Sequence, residues 1–585
     1  MLKKIICPNQ KKEGNVRLSS AVCITVLALF SFLLLVDQSP PLVGSSAYEE
    51  IAISTRIEVD PTAGAFTRTT FERGSDSFVF DHSSGETILS DPTVQWTVSD
   101  GGLNYIPTTV TLGGRGNLAF YGCYLNNERT RLLSTTASNQ ADAPVWSDDG
   151  MLDVWSDINV DASENGNVLV SLAQWPVEGD ITNRQVIVNK YTSNSPVPDW
   201  TYTFDDTINS GAKVKVSADG AYIAAALFDD ENGTMKLAFF DSDSSTPLFT
   251  DSFASTFIRA MDITDDGSKL YINEGANVHI YDTSTQSIIF TVNAGASFDS
   301  HTLSGDGSRF AFGGFNFVKC YEWTGTTYSL QFTYNVSGSV YCSRCDLSGD
   351  ASTLAAAFYF YSPGLTFKVV SIDATTGSAD YEADFTGSGA YQNAPYQIVA
   401  NADGSRIVYG GWGDQYNTNP EVMVFEGSAT PTAMIDTRGS VFDVDTDANG
   451  VYAASGSKSI HANVSGNGGD HACLYMGGQD LYLDGVPSIS ETVTFKVEGN
   501  EGERVRLAAS FNEVNIVTPI GTLMVDPNQY FQLRNDVIGP SGMIEFDVTV
   551  PNSQGLIGRK VVTQVLFTGG GSPRLSNGQV FWVLP

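Results

Sequence analysis

The sequence predicts an all-β chain: an eight-bladed β-propeller, alternatively seven-bladed, followed by a small β-sandwich. Three observations carry that expectation. In VKVSADGAYIAAALF (Val214–Phe228) an alternating run ends in a Ser-x-Asp-Gly corner, and a second apolar run rich in small residues leaves it. Asp-Gly between two such runs marks a hairpin, because glycine accepts the positive φ of a tight reversal. The unit then recurs, with turn positions at Gly116, Gly166, Gly220, Gly267, Gly307, Ala351, Gly404 and Gly450, 40 to 54 residues apart. A period of roughly 40–50 residues with several strands per unit belongs to propeller blades. Beyond residue 480 the period stops, and about a hundred residues of alternating strands with Gly, Pro and Asn turns follow, the size and rhythm of a β-sandwich.

Taken in order, residues 1–47 have the layout of a secretory signal. Lys3, Lys4, Lys11, Lys12 and Arg17 precede an uncharged apolar run, Leu18 to Val36, and small residues end at Ala47. The expected cleavage is before Tyr48; retained, the 19-residue run is long enough to be an N-terminal membrane anchor. Either way the chain is expected to be exported: extracellular, periplasmic or at the cell surface. Residues 48–76 are polar and read as an irregular tether. The propeller is expected over 77–480 and the sandwich over 481–585. Ser77–Asp91 reads as a c–d strand pair without its a–b hairpin, and the last copy, at Gly450, has a–b with an uncertain c–d. Joining the two would close the ring and remove its sheet edges.

Lys and Arg number 32 against 66 Asp and Glu, a net charge of −34. Such a field repels phosphates, so nucleic acid is excluded as a partner. Membrane contact is expected only through an uncleaved N-terminal segment.

The pattern φ-x-φ-S-x-D-G-x-x-φ-x-φ … V-x-φ-φ-D-x-x-T resembles the WD40-like, YVTN-type and quinoprotein-like propellers of exported bacterial proteins. The likeness runs from Ser77 to Met476, without the Gly-His opener and Trp-Asp closer of true WD40 repeats. The stretches GTLMVDPNQYF and GMIEFDVTVPNSQGLIGRKVVTQVLF resemble a C-terminal module of secreted multidomain bacterial proteins. The resemblance implies fold far more than function, since propellers host unrelated activities.

Few constellations suggest chemistry. Cys342 and Cys345 form a Cys-x-x-Cys inside a strand, where they are expected on opposite faces, as buried thiols or in a structural disulfide, Cys342 with Cys320 for example. Asp445, Asp447 and Asn449 match the first half of a calcium loop, but Gly456 replaces its closing Glu. They read as a hairpin turn, with Ca²⁺ the alternative; no other cofactor is expected. His461 and His471 flank a glycine-rich stretch and read as solvated loop residues. Sialidase boxes (Gly-x-Thr-Trp) are absent. The quinoprotein pattern is approached once, at SIDATTGSADYEAD, without its Trp.

The functional expectation is therefore a non-enzymatic binding or scaffold protein recognising a glycan, peptide or protein. The alternative is a carbohydrate-active or quinone-dependent enzyme on the same ring. The corners share one face, so the longer and more varied b–c loops share the other, where binding residues concentrate. Trp412, Asp414, Gln415, Tyr416 and Asn417 combine rings with short polar groups suited to sugars or peptide. Trp175, Asp229, Asp230, Tyr359 and Tyr361 are expected along the same rim.

Overall fold

Every one of the eight turn positions is left-handed. The seven glycines have φ between 65° and 85°, and Ala351 adopts 59° without the freedom of glycine. The structure, a computed structural model, describes the chain from Ala52 to Val583; stretches left out include 84–92, 125–129, 135–144 and 149–158, and for Ala52–Ser83 the strand backbone alone is described. The signal segment and its expected cleavage site lie outside the described residues.

Each corner joins the first two strands, a and b, of a four-stranded antiparallel sheet, and eight such sheets follow one another. Strands a begin the blades at Ile106–Gly113, Asn159–Ala162, Asn209–Val216, Ile258–Ile263, His301–Leu303, Val340–Leu347, Pro395–Ala400 and Val441–Thr446. Each lies beside the next, and the eighth lies beside the first, so the ring is closed with eight blades.

Small residues in strand b explain how the blades meet. Ala225 packs towards the second blade, whereas Ala224 and Ala226 pack towards the fourth. Alternate side chains of a strand face opposite ways, so a run of alanines lets both neighbours approach. Apolar cores of this kind fill the interfaces all round the ring; the one between blades eight and one joins Val110, Leu112 and Tyr121 to Tyr452, Ala454 and Cys473.

Closure differs from the expectation. The outermost strand of the eighth blade is Thr93–Asp100, which pairs with Gly469–Tyr475. That second segment, HACLY, is strand c of the last copy, so its c–d pair is complete. Of Ser77–Asp91, the described part, Ser77–Ser83, belongs to a strand that extends the seventh blade outward, touching Ala433–Ile435 through Phe80 and Ile435. Two further strands, Ala52–Asp60 and Gly64–Arg73, stand where an irregular tether was expected. Their alternating Thr, Phe, Ile and Val suit a meander on an open sheet edge.

The C-terminal residues form two facing sheets. Leu481–Asp484, Thr492–Glu498 and Met543–Thr549 make one; Tyr530–Val537, Arg504–Ser510, Lys560–Thr568 and Arg574–Trp582 make the other. Leu483, Phe495, Val505, Leu507, Val565 and Phe567 share the core between them, as in a sandwich. This unit docks on the ring: Val562, Val580 and Trp582 join the apolar core of blades one and two, and Asn117, in the first corner, donates to the Val580 carbonyl.

Candidate functional site: the channel and the loop face

The corners explain their own sequence. Ser217 Oγ donates to Asp219 Oδ1 at 2.6 Å, and the same oxygen accepts the Ala221 N–H at 2.9 Å. Blades four to seven repeat the arrangement with Asp266, Asp306, Asp350 and Asp403. These hydrogen bonds overcome partial burial and hold the four carboxyls below their ordinary range. Each corner also leans on the one before it. A Cβ on Gly404 would stand 2.3 Å from Thr353 Oγ1, and one on Gly116 would stand 3.0 Å from Tyr452 Cδ2, across the closing interface.

Five residues before the turn position, strand a carries the polar side chains that line the axis of the ring. Blades two, four, six and eight place Asp161, Asp262, Asp346 and Asp445 there. Each uses one oxygen to accept a backbone N–H of the next innermost strand: Val216, Leu303, Ala400 and Leu112, at 2.7 to 2.9 Å. Innermost strands have an unpaired edge, and these carboxylates satisfy it. Thr302 does the same for Leu347 at 2.9 Å. Burial, with Asp262 and Asp443 respectively adding to it, pushes Asp346 and Asp445 up to about 7. Lys215 stands among them, 3.8 Å from Asp161, with a side chain still 39% exposed. The Asp161 carboxylate first, and Asp262, Asp445 and Asp346 with it, hold the Lys215 ammonium above its usual range against burial.

The calcium-loop residues do not converge. Asp445 points into the channel, while Asp447 is buried in the corner and accepts the Val451 and Tyr452 N–H groups at 2.7 and 2.6 Å. Asn449 is exposed. Among the described residues no group of three His, Cys, Asp or Glu is placed to hold a metal ion.

The loop-face candidates divide. Asp414 is buried and saturated, accepting from Ser388, Thr418 and Asn419 at 2.7 to 3.0 Å, and so ties a loop together. Gln415 Oε1 holds the Ala390 N–H at 2.8 Å. Asp229 is buried beneath Asn232 and Lys236. Tyr359 is buried, its hydroxyl donating to the Gly364 carbonyl at 3.0 Å. Trp412 is half-buried between Tyr396 and His461, both at 6.3 Å, and its Nε1 lacks a hydrogen-bond partner among the described residues. Trp175 is on a strand, paired with Gln185: strands b and c of blade two run long and shorten the loop expected there. Its side chain, Asp230 and Asn417 lie outside the described residues. Tyr361 and Tyr416 are the two that present themselves to solvent, 51% and 68% exposed.

The cysteines also differ from the expectation. A bulge at Ser343 resets the alternation, so Cys342 and Cys345 enter the same buried core and touch. The five described cysteines are free, so the Cys342–Cys320 bridge is not formed. His471 is likewise no loop residue: it is buried in strand c, its ring 4.0 Å from that of Tyr121.

Reading loops alone missed the residues at the channel mouth: Lys213, Arg259, Asp299 and Arg344, with Phe257 and Phe315 beside them. A signal was present in AKVKV, where lysines occupy alternate positions of a strand expected to line a crowded axis.

The closed ring of four-stranded blades defines a β-propeller. No protein family matches the chain, and no curated protein sequence matches it. Among solved structures it is similar to the β-propeller domain of Myceliophteria thermophila Cps50 (Swd1), with 14% identity and a TM-score of 0.39, over 55% of this chain and 96% of that one.

Proposed function

We propose that this chain is an exported, non-enzymatic binding or scaffold protein of the cell envelope or extracellular space. It holds a glycan, peptide or protein partner on the loop face of its ring. One observation carries the reading. Among the described residues of the propeller, the exposed aromatic rings are Phe257, Phe315, Tyr361 and Tyr416, at 42%, 48%, 51% and 68% exposure. All four lie on the loop face, on blades four to seven in succession. The opposite face carries the hydrogen-bonded corners of blades three to seven and is partly covered by the C-terminal unit. Exposed rings grouped on one rigid face mark an interaction surface. Export rests on the basic flank, apolar run and small-residue site before Tyr48.

The test is a screen of the secreted protein against glycan and peptide arrays, repeated with Tyr361→Ala/Tyr416→Ala. Binding is expected to be lost with an unchanged melting temperature, whereas Asp219→Ala/Asp403→Ala should lower stability and spare binding. Full affinity in the tyrosine variant would overturn the loop-face reading. N-terminal sequencing from the native host should begin near Tyr48.

A further inference from the structure

Lys213 and Arg344 stand two residues nearer the loop face than the aspartate ring, on the innermost strands of blades three and six. Arg259 is at the loop-face end of the same strand in blade four. Asp299, just before the innermost strand of blade five, is the carboxylate these cations share. Burial would raise its pKa, but Arg344, Lys213 and Arg259 outweigh it and hold the group below the ordinary carboxylate range. His301 adds no charge at neutral pH, because burial lowers it to about 4.

The pairing is thin. Arg344 Nη1 donates to the Ser343 carbonyl at 2.8 Å, while its Nη2 is 3.7 Å from Asp299 Oδ2 and its guanidinium lies 5.1 Å from the Tyr396 ring. Arg259 has a buried Nε without a partner among the described residues, and its guanidinium lies 5.4 Å from the Phe257 ring. Lys213 acts on Asp299 and Asp443 through its charge, without a side-chain hydrogen bond or ion pair to a described residue. Among the deeper carboxylates, Asp161, Asp262, Asp346 and Asp445 each commit an oxygen to a backbone N–H, and Lys215 stands among them; Asp443, two residues nearer the loop face than Asp445 and level with the cations, gives one oxygen to the Val110 N–H and feels the Lys213 charge.

Lys213, Arg259 and Arg344 outnumber the carboxylates beside them, Asp299 and Asp443; partly desolvated cations in such excess are costly, and an anion seated among them offsets that cost. We propose that the loop-face mouth of the channel binds a carboxylate carried by a peptide, an Asp, Glu or C-terminal group placed among Lys213, Arg259 and Arg344. This deepens the loop-face reading and rests on it. A guanidinium matches a carboxylate in shape and takes it with two parallel hydrogen bonds. A peptide is favoured over a glycan because the exposed rings on blades four and five, Phe257 and Phe315, are purely apolar. They suit the aliphatic neighbours of an acidic residue better than the hydroxyls of a sugar.

The test is a peptide array on the full chain at low salt in which every Asp or Glu peptide has its Asn or Gln counterpart. Free acetate and an oligogalacturonate are tested beside it. Acidic peptides are expected to bind about tenfold more tightly than their amides, with acetate competing at high concentration. Arg259→Gln/Lys213→Gln should abolish that preference and keep the melting temperature. Equal binding of acid and amide peptides, a preference surviving in the double variant, no retained acidic peptide, or binding of oligogalacturonate alone would each overturn the proposal. Tyr361→Ala/Tyr416→Ala separates the two readings. If it removes all peptide binding while acid and amide bind alike in the parent, the loop face stands and the carboxylate site fails.

Discussion

The two faces of the ring are built from the same strands and treat their polar groups in opposite ways. On the corner face, Asp219, Asp266, Asp306, Asp350 and Asp403 each accept a backbone N–H two residues on. The turn geometry is the same in all eight blades, and the C-terminal unit docks there. On the loop face, among the described residues, Arg259 Nε and Trp412 Nε1 are left without partners, and four aromatic rings of the propeller stand in solvent. A repeated fold needs one face to hold its blades in register, and that requirement leaves the other free to vary.

The largest expected effect tests closure. Deleting Thr93–Asp100 strips the outer strand from the eighth blade and bares the backbone of Gly469–Tyr475. Loss of cooperative melting is expected, while removal of the outboard meander, residues 52–83, should leave a folded ring. Equal damage from both deletions would show that closure does not depend on that strand.

A second comparison sets the channel against the corners through pH. Asp346 and Asp445, raised by burial to about 7, favour the folded state when protonated; their stabilisation is complete below about pH 4 and is lost as pH rises through 7. The corner carboxyls are lowered, so their stabilisation is present above about pH 4 and is lost on further acidification. Stability should therefore peak between about pH 4 and 6. Asp346→Asn should remove on the order of 1–2 kcal/mol of the decline towards pH 8. Denaturant titrations across that range measure both, and an unchanged slope in the variant would break the assignment.

Gly404→Ala should cost about 1–3 kcal/mol, since it adds a Cβ at positive φ against Thr353. Ala351→Gly, at the one corner without glycine, should be neutral or gain up to about 1 kcal/mol. Thermal melts decide both. The smallest effect is expected on the loop face: Tyr361→Ala/Tyr416→Ala should change stability by less than about 0.5 kcal/mol.

Much of this molecule is legible in its residues. Asp-Gly corners at a regular period specify eight hairpins, because few residues accept their φ, and IAAAL or LAAAF announces blades packed face to face. The sandwich-like C-terminal sheets follow from alternating strands with polar turns. Loop residues were less legible, since composition does not tell Asp414, which ties its own loop, from Tyr416, which is exposed. Only tertiary structure decided the rest. A single bulge at Ser343 put Cys342 and Cys345 on one side, against strict alternation. Closure passed to Thr93–Asp100, a strand defined by its partner across some 370 residues of chain. The cations at the channel mouth meet because closing the ring brings blades three, four and six around one axis. Periodicity is a property of neighbours along the chain and survives in the sequence; which side chains converge at the axis is settled only when the ring closes.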